Sequence, residues 1–309
     1  MEIIGTQETT ARLPYADLAE SIREVALKRA SGEVQAPARM SLPLPEGGVL
    51  LAMPASDADI AITKLVTVHP ENSGRGLPTI QGEVVVIEAA TGRRLGILDG
   101  SVVTARRTAA LSLLAARELA PHPNGPLLIV GAGTQCRAHL EAFAEVLGTS
   151  RVFITSRTAE RAASLGKYAE DLVTEARVVE DPGEVLNEVG LVVTATTSRE
   201  PVLPEEVPEG TFVAAVGSFE PEAAEIPAGL ISRSTVVVDT LDGARGEAGD
   251  LIQAERVGAF SWENATPLED ALRAPERPEG TTVFESVGHA SWDLAAARTA
   301  FRGQLGWRS

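Results

Sequence analysis

The sequence predicts an α/β chain in which a doubly wound parallel sheet follows a strand-rich α+β segment. Three observations carry this. From Leu127 onward, short apolar runs alternate with helix-period stretches, the order of a parallel sheet covered on both faces. Before that point, after one helix, the chain reads as strands joined by tight turns. Between the two lies Pro121-His122-Pro123-Asn124-Gly125-Pro126, a run that breaks helix and strand alike.

The elements follow in order. Leu18, Ile22, Val25 and Ala26 share one face of a helix over Ala16–Arg29, with Gly32 beyond its end. Strands are expected at Gly48–Met53, Ile60–Val68, Gly82–Glu88 and Arg94–Asp99, with turns at Glu46-Gly47-Gly48 and Thr91-Gly92, the second a hairpin. Thr104 can cap a helix over Ala105–Leu119, dense in Ala and Leu. Beyond the breaker, strands fall at Leu127–Val130, Arg151–Thr155, Ala176–Val179, Leu191–Thr194, Thr211–Val216 and Val236–Asp239, with helices between them. A last amphipathic helix, Ser291–Leu305, follows the segment VFESVGHAS and is expected to pack back on the first third.

The stretch LLIVGAGTQCRAHLEAFAEV, residues 127–146, has the layout of a phosphate cradle. A four-residue apolar strand runs into Gly131 and Gly133, and then into a helix-period run through Leu140, Phe143, Ala144 and Leu147. Gly131 permits the tight turn, Gly133 lets a pyrophosphate approach the backbone, and the helix N-terminus offers free N–H groups and a positive dipole end. Cys136 stands at the third small position in place of glycine, so a turn that merely joins strand to helix is the competing reading. At the end of the next strand stand Ser156, Arg157 and Thr158, where an acid would receive the ribose hydroxyls of NAD. A guanidinium flanked by hydroxyls accepts a 2′-phosphate instead, which favours NADPH, with NADH the weaker alternative. A solvated surface arginine is the plain reading of Arg157.

Composition narrows the class of protein. At 309 residues and 44% apolar content the chain can bury a large core and would ordinarily form two domains, and aromatics at 4% leave that core to Ala, Val, Leu and Ile. A net charge of −16 argues against nucleic acid or an anionic membrane as partner, so cations that bind an anion must be gathered locally. Cys136 is the single cysteine, which excludes an internal disulfide and fits a reducing compartment. The N-terminal segment lacks a basic-then-apolar leader, and no stretch approaches ~18 uncharged apolar residues. The expectation is a soluble, cytoplasmic enzyme. His69, His122, His139 and His289 lack metal-ligand spacing, so no metal is expected.

Three cations stand in unusual settings. Lys64 lies inside the apolar strand DIAITKLVTV, Arg39 follows a Pro-Ala step in QAPARMSLP, and Arg107 lies near the start of the Ala-rich helix in TARRTAALS. A buried lysine is costly unless it is paired or desolvated for a purpose, although an outward-facing lysine on an edge strand is the alternative.

With the glycine loop, these cations resemble one family. The segment KLVTVHPENSGRGLPTIQGEVVVIEAATGRRLGILDGSVVTARRTAALS, then GAGTQCRAHLEA, VVTATTS and VFESVGHASWDLAAA, is similar in order to the ornithine cyclodeaminase/mu-crystallin family from about Arg39 to Ala297. The resemblance implies a substrate-binding and dimerisation domain, residues 1–120 with 291–309, a Rossmann domain over 121–290, and a homodimer. It implies Arg39, Lys64 and Arg107 as cations for a substrate carboxylate, and Gly131, Gly133, Thr134 and Gln135 at the pyrophosphate. Ser156 and Arg157, with Thr158 beside them, fall at the adenosine ribose, Ala195, Thr196 and Thr197 along the cofactor, and Val287 and Gly288 near the nicotinamide. Roles for His289 and Asp293 stay open: Asp293 either orients the last helix or faces the site.

One departure bears on the reaction. The family's cyclodeaminases carry an aspartate after the strand that follows the TATTS loop, whereas this chain places Phe219 there. Phenylalanine is no general base, and an apolar side chain suits a flat uncharged ring. The resemblance therefore implies an NADPH-dependent reductase of a cyclic imino acid, Δ1-pyrroline-2-carboxylate or Δ1-piperideine-2-carboxylate, yielding L-proline or L-pipecolate, with Lys64 binding the carboxylate and supplying or relaying the imine proton. An ornithine cyclodeaminase or alanine dehydrogenase, and a non-catalytic crystallin-like NADPH binder, are the competing readings.

Overall fold

The computed structural model describes residues 1–274 and 276–304. Two units emerge: Met1–Arg107 together with the chain from His289 onward, and Thr108–Gly288. The first unit holds a six-stranded sheet built from β1 (Glu2–Ile4), β2 (Met40–Pro43), β3 (Val49–Ser56), β4 (Ile60–Val68), β5 (Ile80–Glu88) and β6 (Arg94–Asp99), in the order β1-β6-β5-β4-β3-β2. Its ladders are antiparallel except for β1, which runs parallel to β6. Helices α1 (Thr6–Ala11) and α2 (Tyr15–Ala30) precede the strands after β1. The terminal helix, Ala290–Phe301, packs on α2, β3 and β4, and Ser21 of α2 donates its hydroxyl to the Ala295 carbonyl at 2.9 Å. Leu305, the expected end of that helix, lies outside the described residues.

The two faces of this sheet differ sharply, as strand periodicity requires. Along β4, Ile60, Ile62, Lys64 and Val66 point to the buried face, whereas Leu65 is 42% exposed on the other. On that open face Ile3, Leu50, Leu65 and Ile97 line a broad depression of about 550 Å³.

Helix α3 (Gly100–Leu119) begins five residues before the expected Ala105. The Asp99 carboxylate accepts the N–H groups of Ser101 and Val102 at 2.9 and 3.1 Å, so Asp99 is the cap and Thr104 lies inside the first turns. Gly100 is required at the start because a Cβ there would stand 2.5 Å from the Gly82 backbone. The division between the two units falls within α3.

The second unit is an eight-stranded, wholly parallel sheet: β7 (Leu127–Val130), β8 (Arg151–Thr155), β9 (Glu175–Val178), β10 (Leu191–Thr194), β11 (Phe212–Ala215), β12 (Thr235–Val238), β13 (Ala265–Pro267) and β14 (Thr282–Glu285). Its order is β13-β12-β14-β11-β10-β7-β8-β9. The chain winds one way from β7 to β9 and the other way from β10, which puts a switch point at the C-terminal ends of β7 and β10, where such sheets bind ligands. Helices α4 (Thr134–Ala142), α5 (Ala159–Ala169), α6 (Ala228–Ile231), α7 (Leu241–Glu247), α8 (Gly249–Arg256) and α9 (Leu268–Ala271) connect the strands. Strands β13 and β14 were not expected from the pattern: both are short, and β14 ends in a carboxylate. Among the described residues, no helix is long and apolar enough to cross a membrane.

Candidate active site

In the first unit, sequence spacing brings Lys64 onto the buried face of β4, between Met53 of β3 and Val84 of β5. Its side chain is 3% exposed. An ammonium there needs a counter-charge, and Asp293 from the first turn of the terminal helix provides it. The Lys64 Nζ lies 3.0 Å from Asp293 Oδ1 and 2.8 Å from Oδ2, and donates weakly to Thr104 Oγ1 at 3.5 Å. Arg107 of α3 is also buried, with its Nε 3.4 Å from Asp293 Oδ1 and making no hydrogen bond. Asp293, itself fully buried, thus stands between two cations at a helix N-terminus, where the dipole also favours its charge.

Arg39, in the loop before β2, is partly exposed, and its charge reaches Lys64. Burial lowers the Lys64 ammonium to about 8; Asp293 opposes that fall, and Arg107 and then Arg39 add to it. The three cations thus lie close enough for the charges of Arg107 and Arg39 both to reach Lys64. Asp293, whose role the sequence left open, is the carboxylate that joins two of them. The signal was a lone acid inside the apolar run SWDLAAA. His289 instead caps the terminal helix, its Nδ1 accepting the Ser291 N–H at 3.3 Å.

In the second unit, Gly131 leaves β7 at φ +120°, a conformation that side chains avoid. A Cβ there would lie 2.6 Å from the Ala195 carbonyl and 2.8 Å from Cys136 Sγ, so the turn admits only glycine. Gly133 is the N-cap of α4, with open space where a Cβ would project and no side-chain cap over the first N–H groups. That opening, beside Thr134 and Gln135, fits a dinucleotide pyrophosphate. Cys136 fills the third small position as packing: its thiol is buried against the Val130 and Ala195 carbonyls, and burial pushes it up to about 12. Such a thiol is inert.

The loop Ala195-Thr196-Thr197 follows β10 and touches the glycine turn through Ala195. Ser156, Arg157 and Thr158 follow β8, the neighbour of β7, with Arg157 exposed and the Thr158 N–H donating to Ser156 Oγ at 3.4 Å. Val287 and Gly288 follow β14, and the Gly288 N–H is held by Asp239 at 3.0 Å. Phe219 lies in the loop after β11 and is 47% exposed.

A glycine-turn cradle at the switch point of a parallel sheet, and a first unit that buries a Lys–Asp–Arg cluster beneath its own sheet, fit the class of dinucleotide-dependent α/β oxidoreductases. The chain belongs to the ornithine cyclodeaminase/mu-crystallin family, whose sequence model covers residues 3–303. It is 40% identical over 299 residues to the Δ1-pyrroline-2-carboxylate/Δ1-piperideine-2-carboxylate reductase of Azospirillum brasilense, an alignment spanning 96% of this chain and 94% of that protein. Among solved structures, it resembles the Δ1-pyrroline-2-carboxylate reductase of Thermococcus litoralis in complex with NADH and L-proline, with a TM-score of 0.90, 26% identity, and 98% and 97% of the two chains covered. An archaeal alanine dehydrogenase dimer with bound NAD matches with a TM-score of 0.88, 28% identity, and 98% and 95% of the two chains covered.

Proposed function

We propose that this chain reduces Δ1-pyrroline-2-carboxylate or Δ1-piperideine-2-carboxylate to L-proline or L-pipecolate with NADPH. The observation that carries the reading is the buried Lys64, paired with Asp293 and flanked by Arg107. The similarity to the Azospirillum reductase supports the same substrate class.

The chemistry asks three things of the protein. The carboxylate must be held: Arg107, with its buried Nε open to an acceptor, and Arg39 offer charge-assisted hydrogen bonds, and an ion pair at ~4 Å contributes about 4 kcal/mol at an effective dielectric near 20. The ring nitrogen must receive a proton, because an iminium accepts hydride far more readily than a neutral imine. Lys64, with an ammonium at about 8, is charged at neutral pH and acidic enough to give that proton. Asp293 holds the ammonium in place and keeps it charged. A dinucleotide held by its pyrophosphate at the 131–135 cradle would supply the hydride from its nicotinamide. The C=N bond thus gains hydrogen at carbon from the nucleotide and at nitrogen from Lys64, which regains its proton from solvent. Phe219 provides no carboxylate and leaves a flat apolar surface for the ring, which favours imine reduction over cyclodeamination.

Arg157, exposed between Ser156 and Thr158, is our basis for NADPH over NADH. The open apolar face of the first sheet, with Ile3 and Leu65 exposed, supports a homodimer formed by a second copy of this chain, in keeping with the dimeric archaeal relative. A reducing, cytoplasmic compartment suits a chain whose one cysteine is a packing residue. The test of the mechanism is Lys64→Ala: kcat/KM for the cyclic imine is expected to fall about a hundredfold or more. Near wild-type turnover would remove Lys64 from the reaction.

A further inference from the structure

The C-terminal end of the parallel sheet buries four carboxylates. Glu285 closes β14, Asp239 follows β12, Glu225 lies in the chain between β11 and α6, and Asp250 sits in the first turn of α8; none is more than 1% exposed. Two of them fasten loops assigned to the cofactor. Glu225 accepts the Thr194 hydroxyl at 3.0 Å, the Thr196 N–H at 2.6 Å and the Gly217 N–H at 2.8 Å. Asp239 accepts the Thr240 N–H at 2.7 Å, the Ser286 hydroxyl at 2.9 Å and the Gly288 N–H at 3.0 Å. Asp250 accepts the N–H groups of Glu225 and Ile226 on Oδ1, both at 2.6 Å, and nothing on Oδ2.

Glu285 accepts nothing on either oxygen. Strand alternation sets it on the face of Val283, and the ladder register sets it beside Ala215 of β11 and Val238 of β12. Those three residues belong to an apolar cluster that also takes Leu251 and Ala254 of α8. A carboxylate stripped of both water and donors is far costlier there than a neutral carboxyl, which needs only one acceptor. The charged groups acting most on Glu285 are Asp250 of α8, Glu225 and Asp239, all of them acids. Burial and these three charges push the Glu285 carboxyl well above the ordinary range, burial pushes Asp250 up to about 7, and burial also raises Glu225, against the pull of its donors on Thr196, Gly217 and Thr194.

We propose that Glu285 carries a proton in the folded enzyme and that, being neutral, it adds no repulsion to Glu225 and Asp239, whose hydrogen bonds hold residues 194–196 and 286–288. Glu285 is then a positioning residue for the cofactor. This role rests on the reading that these loops hold the dinucleotide; the proton itself does not. The sign follows from linkage. A carboxyl whose folded value is raised stabilises the fold most below the ordinary carboxylate range, and that stability is lost as pH rises toward the folded value. Once Glu285 ionises, repulsion falls on both clamps, and nucleotide affinity declines with them.

The variant Glu285→Gln keeps the shape and removes the titration. In thermal unfolding without nucleotide, from about pH 6 to about pH 9, the variant is expected to melt above wild type by a margin that widens with pH. A margin that is constant, or a loss at every pH, would overturn the proposal. In NADPH titrations over the same range, wild-type affinity is expected to weaken with pH several-fold more than that of the variant, in which Asp250 still titrates; parallel declines would overturn the positioning role. If neither protein binds any dinucleotide, the cofactor reading fails, and the positioning role with it, whereas the melting series still judges the proton. Should the variant not fold, infrared spectra at neutral pH decide, recorded with Asp250→Asn to remove the other raised carboxyl: a carbonyl stretch from a buried protonated carboxyl that persists there supports the proposal, and its absence refutes it.

Discussion

Replacing Asp293 by Asn removes one charge from the Lys64 cluster and leaves its shape. Asp293 Oδ2 stands 2.8 Å from the Lys64 ammonium, a Coulomb attraction of about 6 kcal/mol at an effective dielectric near 20. Relaxation and water entry cancel roughly half of such a term, which leaves about 3 kcal/mol, or about 2 pKa units. Lys64, held at about 8 in the native cluster, would then titrate near ~6, because Arg107 and Arg39 still repel it. Its charged fraction at pH 7 drops from about nine-tenths to about one-tenth, so kcat/KM for the imine falls roughly tenfold there. The assay is the pH profile of kcat/KM for variant and wild type with the same imine. Taking the ratio at each pH cancels the titration of the substrate. The ratio should return toward one below about pH 5.5 and fall as pH rises through neutrality. A loss of the same size at every pH would show that Asp293 only holds the fold, and no loss at all would refute the ion-pair argument.

Two further substitutions separate the remaining parts. Arg157→Ala should raise KM for NADPH about 10- to 100-fold, the worth of one paired charge-assisted contact, and leave KM for NADH nearly unchanged; equal effects on both nucleotides would dismiss Arg157 as the 2′-phosphate ligand. Leu65→Asp places a charge on the exposed apolar face of the first sheet: the wild type is expected to sediment as a dimer and the variant as a monomer, and a variant that stays dimeric would move the interface elsewhere.

The cradle and the cations were legible for opposite reasons. Around Leu127–Val130, Gly131 and α4, every local preference agrees: an apolar run for a buried strand, glycine where φ is +120°, then a helix period. Lys64 was visible because it breaks the local rule, a charge at a core-facing position of an apolar strand. What stayed hidden depends on distance along the chain. Asp293 meets Lys64 across 229 residues, and nothing in SWDLAAA names its partner. The start of α3 was misread because Thr104 and Asp99 are both competent caps. Tertiary packing of Gly100 on Gly82 selects Asp99, which frees the Thr104 hydroxyl to meet Lys64. The four buried acids are indistinguishable in sequence from the other acids of a chain with 43 Asp and Glu. Only the closing of β14 between β11 and β12 shows that Glu285 has no donor.

The most direct test of the central claim is turnover by the purified wild-type chain, followed as nucleotide oxidation over Δ1-pyrroline-2-carboxylate, Δ1-piperideine-2-carboxylate and pyruvate with ammonia, with ammonia release from ornithine measured in parallel and the products resolved by chirality. The account predicts rapid NADPH oxidation with the cyclic imines, formation of L-proline or L-pipecolate, and little or no ammonia from ornithine. Tight NADPH binding without oxidation on either imine, or faster turnover of pyruvate with ammonia or of ornithine, would contradict it.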